Sequence, residues 1–379
     1  MRILTSIHEQ PTWPKLYWQP EALAESLAQI RLAQGRLSGR MEGLGFNLQQ
    51  EATLETLTED VLKSSQIEGE LLDPAKVRSS IASRLGIDIG GLQPPDRHVE
   101  GIVEMMLDAT RSYNEPLTAK RLYAWHAALF PTARSGMKPI RVGRWRDDAS
   151  GPMQVVSGAV GRERVHFEAP EAKRLKKEMA QFLKWFEGKE PLDDVLRSGV
   201  AHLWFVTIHP FDDGNGRIAR AIADLALARS EESPRRFYSM SAQIQQERDA
   251  YYDILEQTQR GNTDITLWME WFLGCLGRAI EGAQSTLARV IAKAQFWDRI
   301  RNISLNERQH MMLNRLVDGF EGKLTTTKWA TIAKCSQDTA FRDIMQLVQK
   351  NVLVKEAAGG RSTSYVLKDF PSKNGSRQR

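Results

Sequence analysis

His209-Pro210-Phe211-Asp212-Asp213-Gly214-Asn215-Gly216-Arg217-Ile218-Ala219-Arg220 packs most of a catalytic inventory into twelve residues. Just upstream, Leu192, Val195, Leu196, Val200, Leu203 and Val206 recur at helical spacing, so the segment joins the end of one helix to the start of the next. Gly214, Asn215 and Gly216 can bring backbone N–H groups close to phosphate oxygens, and a helix beginning there adds the positive end of its dipole. Arg217 and Arg220 lie three residues apart, share a helix face and can both reach a polyphosphate. A carboxylate at Asp213, beside so many phosphate donors, suits a Mg²⁺ that bridges phosphate oxygens. His209 has the titration range of a general base. Singly, a His before Pro or an Asp-Asp-Gly turn is more often structural. Together the residues describe an anion site beside a base.

Outward from this loop the chain reads as mainly helical. Residues 20–90 carry apolar residues at three- and four-residue spacing, as in Leu23, Leu27 and Ile30 and again in Leu54, Leu57 and Val61. Gly90-Gly91-Leu92-Gln93-Pro94-Pro95-Asp96 breaks the pattern, which resumes over 98–130 and again over 171–275. Between them, Met153-Gln154-Val155-Val156, a turn-like 157–161 and Arg164-Val165-His166-Phe167 predict a β-hairpin. The end of the chain predicts helices over 306–318, 328–334 and 337–350. Val352-Leu353-Val354-Lys355, Gly359-Gly360-Arg361 and Tyr365-Val366-Leu367 then read as a hairpin. Three helices and a two-stranded wing, with Cys335-Ser336 in the turn, follow the order of a winged helix-turn-helix. The expected domains are a helical N-terminal region (1–97), a catalytic core (98–275), a linker helix (276–300) and a winged-helix-like domain (301–379).

Bulk properties narrow the class. A length of 379 residues exceeds what one hydrophobic core usually serves. Forty-one per cent hydrophobic and 26% charged residues describe an ordinary globular protein. No apolar run approaches the roughly 20 residues that span a bilayer, so no membrane is expected and the cytoplasm is the expected compartment. Cys275 and Cys335 stand far apart without a CxxC grouping, which suggests neither a disulfide framework nor a zinc site. From Arg301 onward the balance of charges is +7, against +5 for the whole chain, which leaves −2 for the first 300 residues.

Nine positions of the loop match HPF-x-[DE]-GNGR-x-x-R, and on these residues the sequence closely resembles the Fic family. The resemblance implies a Fic-type helical bundle with a β-hairpin flap, and transfer of AMP from ATP to a Ser, Thr or Tyr hydroxyl of a target protein. In it, His209 would deprotonate the hydroxyl, Asp213 would hold Mg²⁺, and Asn215 with the backbone of Gly214 and Gly216 would settle the α- and β-phosphates. Arg217 and Arg220 would take the β- and γ-phosphates, with His209, Asn215 and Arg217 as the catalytic set. Gly143-Arg144-Trp145-Arg146 looks like the element ahead of the flap, and the 155–168 hairpin looks like the flap. There Val155, Val156, His166 and Phe167 would meet the target as an added strand. Tyr251 and Tyr252 resemble the adenine-pocket wall.

Upstream, Ser64-Ser65-Gln66-Ile67-Glu68-Gly69 fits the [ST]-x-x-x-E-[GN] inhibitory pattern of many Fic proteins. Ser64 and Glu68 are four apart on one helix face, and Gly69 lets the helix end. The resemblance pairs Glu68 with Arg220. The expected function is therefore an autoinhibited protein adenylyltransferase using ATP and Mg²⁺. Its partners would be a hydroxyl-bearing protein target, including the chain itself, and a homodimer is a further candidate. Two alternatives remain: a DNA-binding regulator whose C-terminal domain contacts DNA while the core senses nucleotide, and a Fic enzyme that removes AMP or moves another phosphate-containing group.

Overall fold

The structure is a computed structural model that describes residues 6–89, 93–149, 151–158, 164–320, 322–356 and 363–370, with 285 and 286 described by backbone only. The chain divides into two compact units, one formed by Met1–Asp88 with Leu92–Thr286 and the other by Leu287–Arg379 with Ile89–Gly91.

The first unit begins with a short 3₁₀ turn, then α1 (Pro20–Glu42), α2 (Phe46–Ile67), α3 (Pro74–Leu85), α4 (Arg97–Arg111) and α5 (Ala119–Leu129). Two minimal strands, β1 (Arg134–Ser135) and β2 (Lys138–Pro139), precede the hairpin of β3 (Gln154–Ser157) and β4 (Arg164–Glu168). Then come α6 (Ala172–Phe186), α7 (Asp194–Ile208), α8 (Asn215–Ser230), α9 (Met240–Gln246) and α10 (Arg248–Gln259). α11 (Thr266–Ile300) starts in this unit and ends in the next. Asp73, Asp96, Thr118, Asp193 and Ser239 cap their helices by accepting backbone N–H groups, the reason those helices start where they do.

α7 is buried on every side, from Val195 and Val200 to Phe205 and Ile208, as a helix apolar all round must be. It packs against α8, whose Ala219, Ala221, Ala223, Ala226 and Ala228 are also buried and keep the pair close. The loop between these two buried helices is the 209–214 segment, so the conspicuous motif is mounted on the core of the unit. α2 crosses α8 with a polar seam. Asp60, Ser64 and Glu68, four residues apart, face Asp224, Arg220 and Gly216, also four apart. Arg236 reaches both acids at one end, donating to Asp224 and lying 3.8 Å from Asp60. Burial pushes the Asp224 carboxyl up to about 7 despite this arginine.

The hairpin forms as expected. β3 and β4 are antiparallel, with Val156 opposite Val165 and a register shift between Val155 and Val156; residues 159–161 of the expected turn, with 162 and 163, lie outside the described ones.

The second unit contains α12 (Glu307–Val317), α13 (Thr326–Ile332) and α14 (Gln337–Gln349), then β5 (Leu353–Lys355) paired antiparallel with β6 (Tyr365–Leu367). Its core is separate: Phe296, Met312, Leu313, Trp329, Ile344, Leu347 and Leu353. Ser336, in the expected turn, caps α14, while Gly359–Arg361 falls outside the described residues. Both cysteines are free thiols. Among the described residues no helix is long and apolar enough to cross a membrane.

Candidate active site

His209 ends α7 in the left-handed region, φ 51°, as its C-cap. A non-glycine residue there costs roughly 1–2 kcal/mol, so something must hold it. Arg146 does: its side chain is fully buried and its Nε donates to the His209 carbonyl at 2.8 Å, while its backbone N–H donates to Pro210 O at 2.9 Å. The same guanidinium also bonds Pro170 O and Asp148, which ties the loop to the end of the hairpin. The His209 Nδ1 lies 3.2 Å from the Val206 carbonyl. A carbonyl can only accept, so Nδ1 carries the proton and Nε2 is left as an acceptor. Burial, opposed by the Val206 hydrogen bond and helped by the charge of Arg146, pushes the imidazole down to about 4, so it is neutral at physiological pH.

The rest of the loop closes on itself. Asn215 is 2% exposed; its Oδ1 accepts the Phe211 N–H at 3.0 Å and its Nδ2 donates to Phe211 O at 2.9 Å. The sequence reading aimed this amide at phosphates. Here its Oδ1 and one of its two N–H donors staple the turn, because a buried loop must satisfy its own backbone groups. Phe211 is fully buried and stacks on His126 with ring centroids 4.2 Å apart. Gly214, at φ 77°, starts α8.

Arg217 and Arg220 follow on the first turns of α8 with side chains 6% and 2% exposed. Arg220 donates from Nε to Ser64 Oγ and from Nη2 to Ser64 O, both at 2.9 Å, and pairs with Glu68 at 2.7 Å. The expected Ser64–Glu68–Arg220 grouping is therefore formed. Arg217 pairs with Glu70 at 3.0 Å and lies over the Phe130 ring. Neither guanidinium is saturated: Arg217 Nε and Arg220 Nη1 have no partner among the described residues. Buried N–H groups without acceptors are costly, and at a glycine-bounded helix N-terminus they signal an anion. Glu68 already sits in that place. A Cβ added at Gly216 would lie 2.2 Å from its Oε1, so only glycine admits a carboxylate oxygen, or a phosphate oxygen, so close to the helix start.

Asp213 accepts from the Gly214 N–H at 2.5 Å and from the Ser135 hydroxyl, remaining partly exposed. No cluster of three metal-ligating side chains exists among the described residues. A single hard carboxylate fits Mg²⁺, which usually takes one or two protein ligands and fills its octahedron with phosphate and water.

Tyr251 corrects the sequence reading. It is 2% exposed and hydrogen-bonded to His202 at 2.9 Å, behind Arg220 in the core rather than on a pocket wall. Tyr252 is less buried and, with Arg248, hydrogen-bonds the Ile67 carbonyl at the end of α2. On the hairpin, Val156 is 47% exposed and its cross-strand partner Val165 40%, whereas Phe167 is 3% exposed and packs on His8. Phe167 thus anchors the hairpin, and Val165, missed in the sequence, joins Val156 on its open face. His166 pairs with Glu256 of α10. Arg260 of α10's C-cap donates to the carbonyls of Val165 and His166.

A model described as the Fic/DOC family matches residues 116–227, the span from α5 to α8. The chain carries a Fic/DOC family domain. A second model, a domain of unknown function (DUF4172), matches residues 6–87, which include α2 and the Glu68 and Glu70 carboxylates. The protein adenylyltransferase Fic of Nematostella vectensis is 34% identical over 116 residues, 30% of this chain and 25% of its own length. That of Aedes aegypti is 27% identical over 241 residues, 61% of this chain and 42% of its own. The chain thus spans less than half the length of these relatives. The solved Fic family protein from Desulfovibrio desulfuricans G20 superposes with a TM-score of 0.55 at 22% identity, covering 95% of this chain and 100% of its own. That likeness concerns the fold.

Proposed function

We propose that this protein is an adenylyltransferase that moves AMP from ATP to a hydroxyl side chain of a protein, its own chain included. The observation that carries the reading is the meeting, on one loop, of a neutral imidazole with a free Nε2 and two buried arginines with unpaired N–H groups at a helix N-terminus. The target oxygen forms a bond to the α-phosphorus as the bond from that phosphorus to the α,β-bridging oxygen breaks. His209 Nε2 takes the hydroxyl proton and pyrophosphate leaves with the bridging electrons. Arg217 and Arg220 hold the departing phosphates, and the backbone N–H groups at the start of α8 face the charge that builds at phosphorus. Asp213 would hold Mg²⁺, which when bound offsets phosphate charge. With Glu68 on Arg220, ATP cannot seat its terminal phosphate, so the resting chain is braked.

ATP labelled at the α-phosphate and, in parallel, at the γ-phosphate, given to Glu68→Gly protein with Mg²⁺ and a lysate, tests this. Label retained only from the α position, and lost in Glu68→Gly/His209→Ala, is the expected result. Label from the γ position would move the reading to phosphate transfer.

The helix order of the second unit and the +7 of the final 79 residues favour a second role, a winged-helix contact with duplex DNA through α14. Its test is a steep fall of affinity with salt.

A further inference from the structure

The brake above uses one carboxylate, yet two are seated at the start of α8. We propose that Glu70 is a second and separate lock on the nucleotide site, holding Arg217 as Glu68 holds Arg220, so that a polyphosphate must displace both carboxylates to bind. The inference rests on the reading of this loop as a nucleotide site.

The backbone explains how two acids from one short segment come to face the same helix. Side chains two apart on a helix diverge by about 200°. α2, however, ends in a Schellman motif: the Glu70 N–H donates to Ser65 O and the Gly69 N–H to Gln66 O, both at 3.0 Å. Gly69 takes φ 83°, and a Cβ there would meet no atom within 4 Å, so glycine is needed for the turn and not for space. The left-handed residue swings the chain back so that Glu70 joins Glu68 over α8.

Glu70's partner is a different arginine in a different setting. Arg217 is 6% exposed with its guanidinium 5.1 Å from the Phe130 ring centre, so the pair is no surface ion pair of negligible worth. Among the described residues its guanidinium bonds Glu70 through Nη1 and its Nε has no partner. A phosphate that takes the same Nη1 must exchange with that carboxylate. Glu70 is itself held from the other side by His98, in the first turn of α4. Burial works against ionisation of Glu70, but the His98 hydrogen bond and the charges of His98 and Arg217 outweigh it and keep the carboxyl below the ordinary range. The lock is therefore charged at neutral pH.

It follows that removing Glu68 alone frees Arg220 and leaves Arg217 engaged. The test is calorimetric titration of Mg²⁺-ATP, and separately AMP, into the full-length wild type, Glu68→Gly, Glu70→Gln and the double variant. In the Glu68→Gly background, Glu70→Gln should tighten ATP roughly tenfold, the worth of one charge-assisted hydrogen bond, and leave AMP, which lacks the β- and γ-phosphates, unchanged. Glu70→Ala should act in the same direction. ATP bound by Glu68→Gly but no tighter in the double variant would overturn the second lock while leaving the nucleotide site intact. An equal gain for AMP would also overturn it, since that indicates general loosening. ATP bound by none of the four proteins would sink the nucleotide reading and this inference with it. Tighter ATP binding without AMP transfer would uphold the lock and remove the transferase.

Discussion

His209 shows how much one residue's surroundings decide. Its left-handed backbone, the Val206 carbonyl on Nδ1 and Arg146 on its own carbonyl fix both the direction of Nε2 and the ease of protonating it. With the ring held down to about 4, proton acceptance should persist well below the 6.5 of a free histidine and fail only as pH falls towards 4. Initial rates of Glu68→Gly self-labelling should therefore stay flat from pH 7 to 5.5. Arg146→Lys keeps the charge but loses the three-way grip. It should lower turnover roughly tenfold by misplacing Nε2, with ATP affinity unchanged. Arg146→Met should in addition raise the His209 pKa, read by NMR titration of the ring; an unmoved pKa would deny Arg146 its electrostatic part. The residues from His209 to Arg220 were legible in the sequence because they are contiguous and each type has a chemistry. Glu70 was not, since it meets Arg217 across 147 positions of chain. The staple that Asn215 makes to Phe211 was not legible, because reciprocal pairing with a neighbour's backbone leaves no trace in residue type.

Among the elements, the hairpin has two unequal edges. Arg260 donates to the carbonyls of Val165 and His166 on β4, whereas among the described residues no side chain bonds the β3 backbone, so β3 is the edge proposed for an added target segment. Val156→Lys should then reduce labelling of an added protein target several-fold while leaving ATP affinity unchanged, measured by labelling and calorimetry side by side. Undiminished labelling would take the target away from this edge. The strands themselves were readable from alternation and turn residues, as were the helices from their apolar spacing. Which hairpin face is anchored was not, because Phe167 is buried by His8, far off in sequence. The helix ends were legible where a side chain caps them, as with Ser336 and Asn306.

For the whole molecule, charge buried in the first unit sets its response to acid. His126 and His202, both almost wholly buried, are held down to about 4 and about 3, so they favour folding above the unfolded value of 6.5 and less so as pH falls from there. Asp224, raised to about 7, opposes them over the same range. With His209 also held down to about 4, three rings against one carboxyl leave a net loss of stability as pH falls from 6.5 towards 4. Urea midpoints at pH 7.5, 6 and 5 should fall in that order, and a midpoint independent of pH would show that the rings are hydrated.

The end of α2 has one more consequence. On the nucleotide site proposed above, Glu68 and Glu70 stand where the phosphates would stand, which would make the chain the carrier of its own substrate mimic. A competitor attached to the same polypeptide has an effective concentration fixed by geometry rather than by dilution. The degree of restraint should accordingly be indifferent to how much of the protein is present, and answer only to the supply of free nucleotide and to whatever pulls on that last turn of helix.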